Sequence, residues 1–294
     1  MNSSFRQKVL RNIVDFSKFW NKIPTVALGE KQRDIVNTYL ARELVPLKKV
    51  STSKGNILFS CPGEIPLHHV KTLFTREPDT ISWLDSITEG ETLWDIGANI
   101  GTFSLYAARR GVNVLAFEPA SVNYINLTQN IELNRFDTLI SAYCIAFSEH
   151  TELNSLNMSS TETGSALHLF GDRIDEMVVR GRSKKIAFQQ AMLSYSVDDF
   201  VEAFEPPLPH HIKLDVDGLE YPIIKGAKKT LATPQLKSVL IELDKNQESY
   251  KDILEIFSWA GLQLSEVNNE RVIKESGSEF ETKESEHIFV RHPS

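Results

Sequence analysis

The sequence predicts an α/β protein in which helices cover both faces of a mostly parallel sheet, and three observations predict it. Short apolar segments alternate with helical ones from about residue 91 onward. The apolar segments, Thr92–Ile96 and Val112–Phe117 among them, are continuous rather than alternating, as strands buried on both faces are. The first of them runs into a glycine-bearing turn, Gly97–Gly101, that opens a helix. With 294 residues, 41% of them hydrophobic, the chain can bury a sizeable core without disulfides or metals.

In chain order, Phe5, Val9, Ile13, Val14 and Trp20 fall on one helical face, and a second amphipathic stretch runs from about Lys31 to Leu44. These form a helical N-terminal extension and connector over 1–69 whose apolar faces suit packing or a homodimer contact. Residues 46–66 are punctuated by Pro and Gly and carry one short strand, Asn56–Ser60. The main domain is expected over 70–294. After Thr92–Ile96 comes a helix from Ile100 to Arg110, ended by Gly111. Val112–Phe117 is the second strand, and Ser121 is placed to cap a helix reaching Asn134. Leu139–Phe147 reads as a third strand, and 148–190 as an irregular polar insertion. Val197–Phe204 is a helix stopped by Pro206-Pro207. His211–Val216, a helix over Glu220–Leu231, Lys237–Leu243, a helix over Tyr250–Ala260, and strands near 263–274 and 286–291 complete the pattern.

Composition narrows function. The chain has 39 acidic against 32 basic side chains, net −7, so bulk charge gives nucleic-acid binding no support. The longest apolar run, Ala142–Phe147, is far too short to span a membrane, and the first residues lack a secretory apolar stretch. The two cysteines, Cys61 and Cys144, belong to no paired motif and suit reduced thiols. A cytoplasmic location is the expectation. The adjacent pairs His68-His69 and His210-His211 do not have metal-binding spacing; the histidines read as structural or surface, with His168 the least settled.

In parallel sheets ligands bind beyond the carboxyl ends of the strands, where strand order reverses. The first such end reads Asp95-Ile96-Gly97-Ala98-Asn99-Ile100-Gly101. A dinucleotide fingerprint would need glycine where Asn99 and Thr102 stand, so the pyrophosphate motif fails. A carboxylate before the turn favours a cationic ligand instead. S-adenosylmethionine, with a sulfonium, an ammonium and no phosphate, is such a ligand. Glu118, at the end of the second strand, suits both hydroxyls of a ribose without choosing the cofactor. Asn123, Asn126, Asn130 and Asn134 form a stripe on the following helix; Asn123 alone lies near the strand end, and the others read as a solvated or backbone-bonding face.

The fourth strand delivers Lys213, Asp215, Asp217 and Glu220, charges that are costly at a buried strand end unless paired or liganded. Asp215 and Asp217 suit three roles: holding a divalent metal with a nucleotide sugar, beginning a calcium loop, or orienting and deprotonating a hydroxyl beside a methyl donor. Leu219 and Glu220 occupy the wrong positions for the calcium loop. The third role agrees best with the first strand end.

The words LWDIGANIGTFSLYAA, AFEP, NLTQNIELN and HIKLDVDGLEYPIIKGA, in this order, resemble FkbM-type methyltransferases. TREPDTISWLD, CIAFSE, GSALH, SYSVDDF and SVLIEL agree with them, so the resemblance covers about 70 to 245. It implies a Rossmann-like class I methyltransferase fold with seven strands, the last antiparallel. It also implies S-adenosylmethionine-dependent O-methylation of a hydroxyl on a sugar, glycan or secondary metabolite. On it, Asp95, Gly97, Asn99, Gly101 and Glu118 line the cofactor, with Ala98, Pro119, Asn123 and Ala146 completing that set. Lys213, Asp215 and Glu220 stand on the reaction side, and no metal is called for. Many relatives carry Glu where this chain has Asp217. A D-x-D glycosyltransferase and a non-catalytic cofactor-binding scaffold are the alternatives.

Overall fold

The computed structural model describes residues 28–179, 182–216, 218–273 and 282–291. The helix expected over 5–20, and Asp217, lie outside them. The chain divides into two units, Met1–Pro46 and Leu47–Ser294. Within the first, helix α1 (Glu30–Glu43) keeps Ile35 and Tyr39 exposed. Among the described residues no helix is long and apolar enough to cross a membrane.

The second unit opens on a hairpin, β1 (Leu47–Thr52) and β2 (Gly55–Ser60), of which only the second strand was expected. Two helices follow that periodicity did not reveal, α2 (Glu64–Thr72) and α3 (Pro78–Ser86). Each spans nine residues, short enough for its apolar face to escape notice.

Then β3 (Thr92–Ile96), α4 (Thr102–Arg109), β4 (Asn113–Phe117), α5 (Ser121–Asn134) and β5 (Ile140–Tyr143) alternate as expected. Ser121 is not the cap of α5. Ala120 holds that position, and the first turn is satisfied by other side chains: Glu118 accepts from the Ala120 N–H at 2.9 Å and Gln190 from the Ser121 N–H at 3.0 Å.

The third expected strand is two. After Tyr143 the chain leaves β4, and β6 (Ala146–Phe147) pairs with a strand of a second sheet. That sheet replaces much of the irregular insertion: β7 (Glu152–Met158), β8 (Leu169–Gly171) and, beyond a separate hairpin β9 (Glu176–Val179) and β10 (Arg182–Lys185), β11 (Phe188–Tyr195). Its polar residues are internally satisfied, which hid it. Fully buried Asn157 donates to the Leu169 and Asp172 carbonyls and accepts from the Ile174 N–H.

Helix α6 (Val197–Phe204) is capped by Ser196, and β12 (His211–Leu214) follows. The single helix expected over 220–231 is broken into α7 (Glu220–Lys225) and α8 (Lys228–Leu231). Gly226 lies between them, so close to the Ser148 carbonyl that a Cβ would stand 2.5 Å away. Asp198 caps α8 by accepting from the Lys229 and Thr230 N–H groups. Strand β13 (Ser238–Asp244), helix α9 (Tyr250–Trp259) and strands β14 (Gln263–Ile273) and β15 (Thr282–Val290) close the chain.

Seven strands build the main sheet in the order β14-β15-β13-β12-β3-β4-β5. All pairings are parallel except those of β15, which runs antiparallel to both neighbours. This is the Rossmann-like class I order, with its seventh strand reversed. The chain winds outward from β3 through β4 and β5, then restarts at β12 on the other side of β3. The switch point therefore lies between β3 and β12. Alternate residues divide the core between the two faces. Leu93, Val114 and Leu240 pack with α4 and α5 residues Leu105 and Leu127. Trp94, Phe117 and Ile241 pack with Phe147, Phe200 and Phe257.

Candidate active site

Gly97 follows β3 directly at φ +87°, and a Cβ there would fall 1.9 Å from the Asp215 carbonyl oxygen. Only glycine allows β3 and β12 to approach so closely at the switch point. Gly101, at φ +85°, begins α4 against Leu127 and Leu105. Between them Asn99 also adopts a left-handed backbone, φ +51°. Its N–H donates to Glu118 Oε2 at 2.8 Å, which ties the first turn to the end of β4.

These turns enclose one side of a cavity whose empty space, mouth included, is about 610 Å³. Gly97, Asn99, Glu118, Pro119, Asn123 and Ala146 line it, and so does Asp215. Asp95, Ala98, Gly101, Lys213 and Glu220 stand outside its wall. The lining also includes residues outside the expected site set, among them the apolar Ile145, Leu156, Phe170 and Leu219, and the loop Ser165–His168. The apolar walls come from the second sheet and from the turn before α7. Only the GSALH word within the insertion pointed to them.

The loop is fastened to the polar side of the cavity. Asn123 accepts from the Gly164 N–H at 2.7 Å and donates to the Ser165 carbonyl at 2.9 Å. Asn99 Nδ2 reaches the Gly164 and Ser165 carbonyls at 3.4 and 3.3 Å. From the other side His69 Nε2, on α2, donates to the Gly164 carbonyl at 2.9 Å. His168, named at first as the least settled histidine, lies on the cavity wall. Burial lowers its pKa to about 4, so the ring is neutral, with Nε2 3.3 Å from Ser165 Oγ.

Glu118 is buried, and desolvation lifts its carboxyl to about 7 in spite of hydrogen bonds from the Ala120 and Asn99 N–H groups and from Asn123. Asp95 is deeper still. Burial raises its pKa, Lys213 opposes the rise, and Ser104 Oγ donates to Oδ2 at 2.5 Å. Lys213 pairs in register with Asp95 across β12 and β3. Its ammonium lies 2.9 Å from Asp215 Oδ2 and 5.0 Å from the centre of the Phe103 ring. Lys213 holds the Asp215 carboxyl below its ordinary range although burial opposes this. Asp215 is thus an ionised carboxylate on the cavity wall, anchored from behind by a buried cation. Glu220 has a local partner: it heads α7, and Oε1 accepts from the Gly218 N–H at 3.2 Å.

The sequence profile of the Methyltransferase FkbM domain matches residues 95–265, more than half of the chain. The chain belongs to the FkbM methyltransferase family. It is an S-adenosylmethionine-dependent methyltransferase, and the glycosyltransferase alternative falls away. It is 26% identical over 191 residues to the hexuronic acid methyltransferase AglP of Haloferax volcanii, a match covering 64% of this chain and 70% of that protein. It is 28% identical over 151 residues to the methyltransferase sdnD of Sordaria araneosa, covering 45% of this chain and 58%, under two thirds, of that one. Among solved structures, the precorrin-6y C5,15-methyltransferase of Geobacter metallireducens is similar over 76% of this chain and 93% of that one. Its TM-score is 0.42 and its identity 11%.

The residues present fit the family's cofactor. Two buried polar atoms, Asn99 Oδ1 and His168 Nδ1, belong to cavity-lining residues and have no protein partner. Gly97 and Asn99 bring the turn after β3 to the cavity's edge, and the apolar walls suit a purine ring.

Proposed function

We propose that this FkbM methyltransferase O-methylates a sugar hydroxyl, with Glu118, Asn99, Asn123 and His168 holding the cofactor's nucleoside and Asp215 receiving the acceptor. The observation that carries the reading is the Asp215 carboxylate, ionised on the cavity wall and braced by Lys213. The similarity to a hexuronic acid methyltransferase supports a sugar as acceptor.

Bound S-adenosylmethionine supplies an electrophilic methyl whose bond to sulfur breaks as a neutral thioether leaves. The chain's task is to bring a hydroxyl oxygen in line and to take its proton. Asp215 accepts the hydroxyl hydrogen bond, orients the oxygen and receives the proton as the new O–CH₃ bond forms, passing it on to water. Lys213 keeps Asp215 in one rotamer and charged. Gly97 lets the two strand ends close on each other, which sets Asp215 against the turn after β3. Asp95, which does not reach the cavity, balances the Lys213 ammonium from the other side and so holds the pair in place.

The test is transfer of labelled methyl from S-adenosylmethionine to sugar acceptors. Asp215→Asn is expected to lower kcat by roughly 10²-fold or more while calorimetry shows cofactor affinity within about threefold of wild type. Unchanged turnover in that variant would remove Asp215 from the reaction.

A further inference from the structure

Asp215 shares its strand end with a second acid. In the register of β12 and β13, Leu214 lies opposite Ile241. The next residue of each strand, Asp215 and Glu242, therefore stands beside the other at the carboxyl edge of the sheet. Their side chains meet: Glu242 hydrogen-bonds Asp215, and the contact favours the ionised form of Asp215. Both residues are partly buried. Glu242 is the acid of the SVLIEL word, and the transfer step described above leaves it without a task.

A carboxylate only accepts hydrogen bonds, so a bond between two carboxyl groups requires one proton. The neighbours decide which group holds it. The Lys213 ammonium, 2.9 Å from Asp215 Oδ2, favours negative charge on Asp215, and Arg76, between α2 and α3, acts in the same direction. Asp95 on β3 and Asp215 already place two acids around Lys213. Glu286 is the register partner of Glu242 on β15. A further full charge on Glu242 is costly among these acids. Asp215 is therefore the acceptor of the bond and Glu242 its donor.

We propose that Glu242 is a positioning residue for methyl transfer: as a neutral acid it donates to Asp215, fixes that carboxylate beside Lys213 and aims its remaining lone pairs at the acceptor hydroxyl. The inference rests on the reading of Asp215 as the group that takes the hydroxyl proton. The proton of Glu242 takes no part in the bond changes. An electron pair of the hydroxyl oxygen forms the O–CH₃ bond, the methyl–sulfur pair stays on sulfur, and the hydroxyl proton passes to Asp215 and then to water. Once alkaline pH removes the proton that joins the two acids, two adjacent carboxylates repel and Asp215 loses its aim. Glutamine at 242 would present an amide donor in the same place, with no proton to lose over that range.

The test compares wild type, Glu242→Leu and Glu242→Gln at saturating S-adenosylmethionine, which takes Glu118 out of kcat. Infrared difference spectra of wild type against Glu242→Gln, recorded without acceptor, should show one protonated-carboxyl C=O band at neutral pH that vanishes at alkaline pH. With labelled methyl transfer into a pool of methyl hexopyranosides, Glu242→Leu should lower kcat by about 10-fold or more, with cofactor affinity by calorimetry within about twofold. Glu242→Gln should recover most of that loss and hold its kcat at alkaline pH, where wild type declines. Lys213, Asp95, Arg76 and His69 are common to both proteins, so the difference between the two profiles belongs to the acid pair. No infrared band, an unchanged kcat in Glu242→Leu, or an equal fall in the Leu and Gln variants would each overturn the proposal. Wild-type turnover in Asp215→Asn would remove the base on which it rests. No transfer to the hexopyranosides by a protein that binds cofactor would overturn the sugar reading alone, and the infrared band would still decide the pair.

Discussion

Glu118 carries the most informative charge at the level of single residues. Its three hydrogen-bond donors stabilise the ionised form, yet burial outweighs them and the carboxyl titrates near 7 instead of near the ordinary 4.5. A neutral carboxylic acid has a hydrogen to place and one fewer acceptor to offer. The ionised form is the one that suits two ribose hydroxyls. Below pH 7 the competent form is the minor one, and above pH 7 it dominates. Apparent affinity for S-adenosylmethionine should therefore strengthen roughly tenfold between pH 6 and pH 8, as the competent fraction rises. Calorimetry across that range checks it, with Glu118→Gln expected to bind more weakly and to lose the part of the slope that belongs to this group. The sequence placed Glu118 at its strand end correctly. An acidic residue just ahead of a helix can also serve its N-terminus, a secondary reading of Glu118 from the sequence, and the side chain does so by accepting from the Ala120 N–H.

Helix α5 and strand β2 give the clearest case at the level of elements. The asparagines at 126, 130 and 134 were read as solvated or backbone-bonding. They bond backbone, and the first two are buried. Asn134 accepts from the Leu58 N–H at 2.8 Å and donates to its carbonyl at 2.7 Å. Two residues on, Asn130 accepts from the Ser60 N–H at 2.8 Å, and Asn126 donates to the Ser60 carbonyl at 3.3 Å. A helix thus supplies the hydrogen bonds that a neighbouring strand would give, and satisfies the edge of β2 that β1 leaves open. Asn130 also donates to the Ile100 carbonyl at 2.9 Å, which joins this ladder to the turn before α4. Replacing it removes partners from two backbone groups in a buried setting. Asn130→Ala should cost about 2–4 kcal/mol in urea unfolding, against about 1–2 for Asn134→Ala at the half-buried end. Helical spacing made the stripe visible in the sequence. Its partner did not show, because side-chain amides bonding a strand leave no periodic mark on that strand.

The whole molecule was legible where local pattern and topology agree and obscure where long-range pairing decides. Buried parallel strands and a glycine turn are local signals, and they located β3, β4, β12 and β13 together with the switch point. The second sheet is held by pairing between Glu152–Met158 and Phe188–Tyr195, thirty or more positions apart, and by buried asparagine, so its sequence reads as polar and irregular. That sheet supplies much of the cavity's apolar wall, which explains why motif reading placed polar residues at the strand ends and did not include Leu156 and Phe170. The complete cavity joins a turn after β3, a carboxylate after β4, a loop of the second sheet and the end of β12, so its ligand bridges segments scattered from residue 96 to 223. A ligand that binds only the assembled form stabilises the entire fold. S-adenosylmethionine at 100 times its Kd should add about 2.7 kcal/mol. For a domain of this size that raises Tm by roughly 5–10 °C. NAD at the same concentration should produce no comparable shift, because the turn after β3 has Asn99 and Thr102 where a pyrophosphate motif has glycine, and the buried Asp95 lies just before it. Differential scanning fluorimetry with the two ligands in parallel decides the point: an equal shift with NAD would mean that the cavity recognises adenosine alone and draws no discrimination from the strand end that carries the motif.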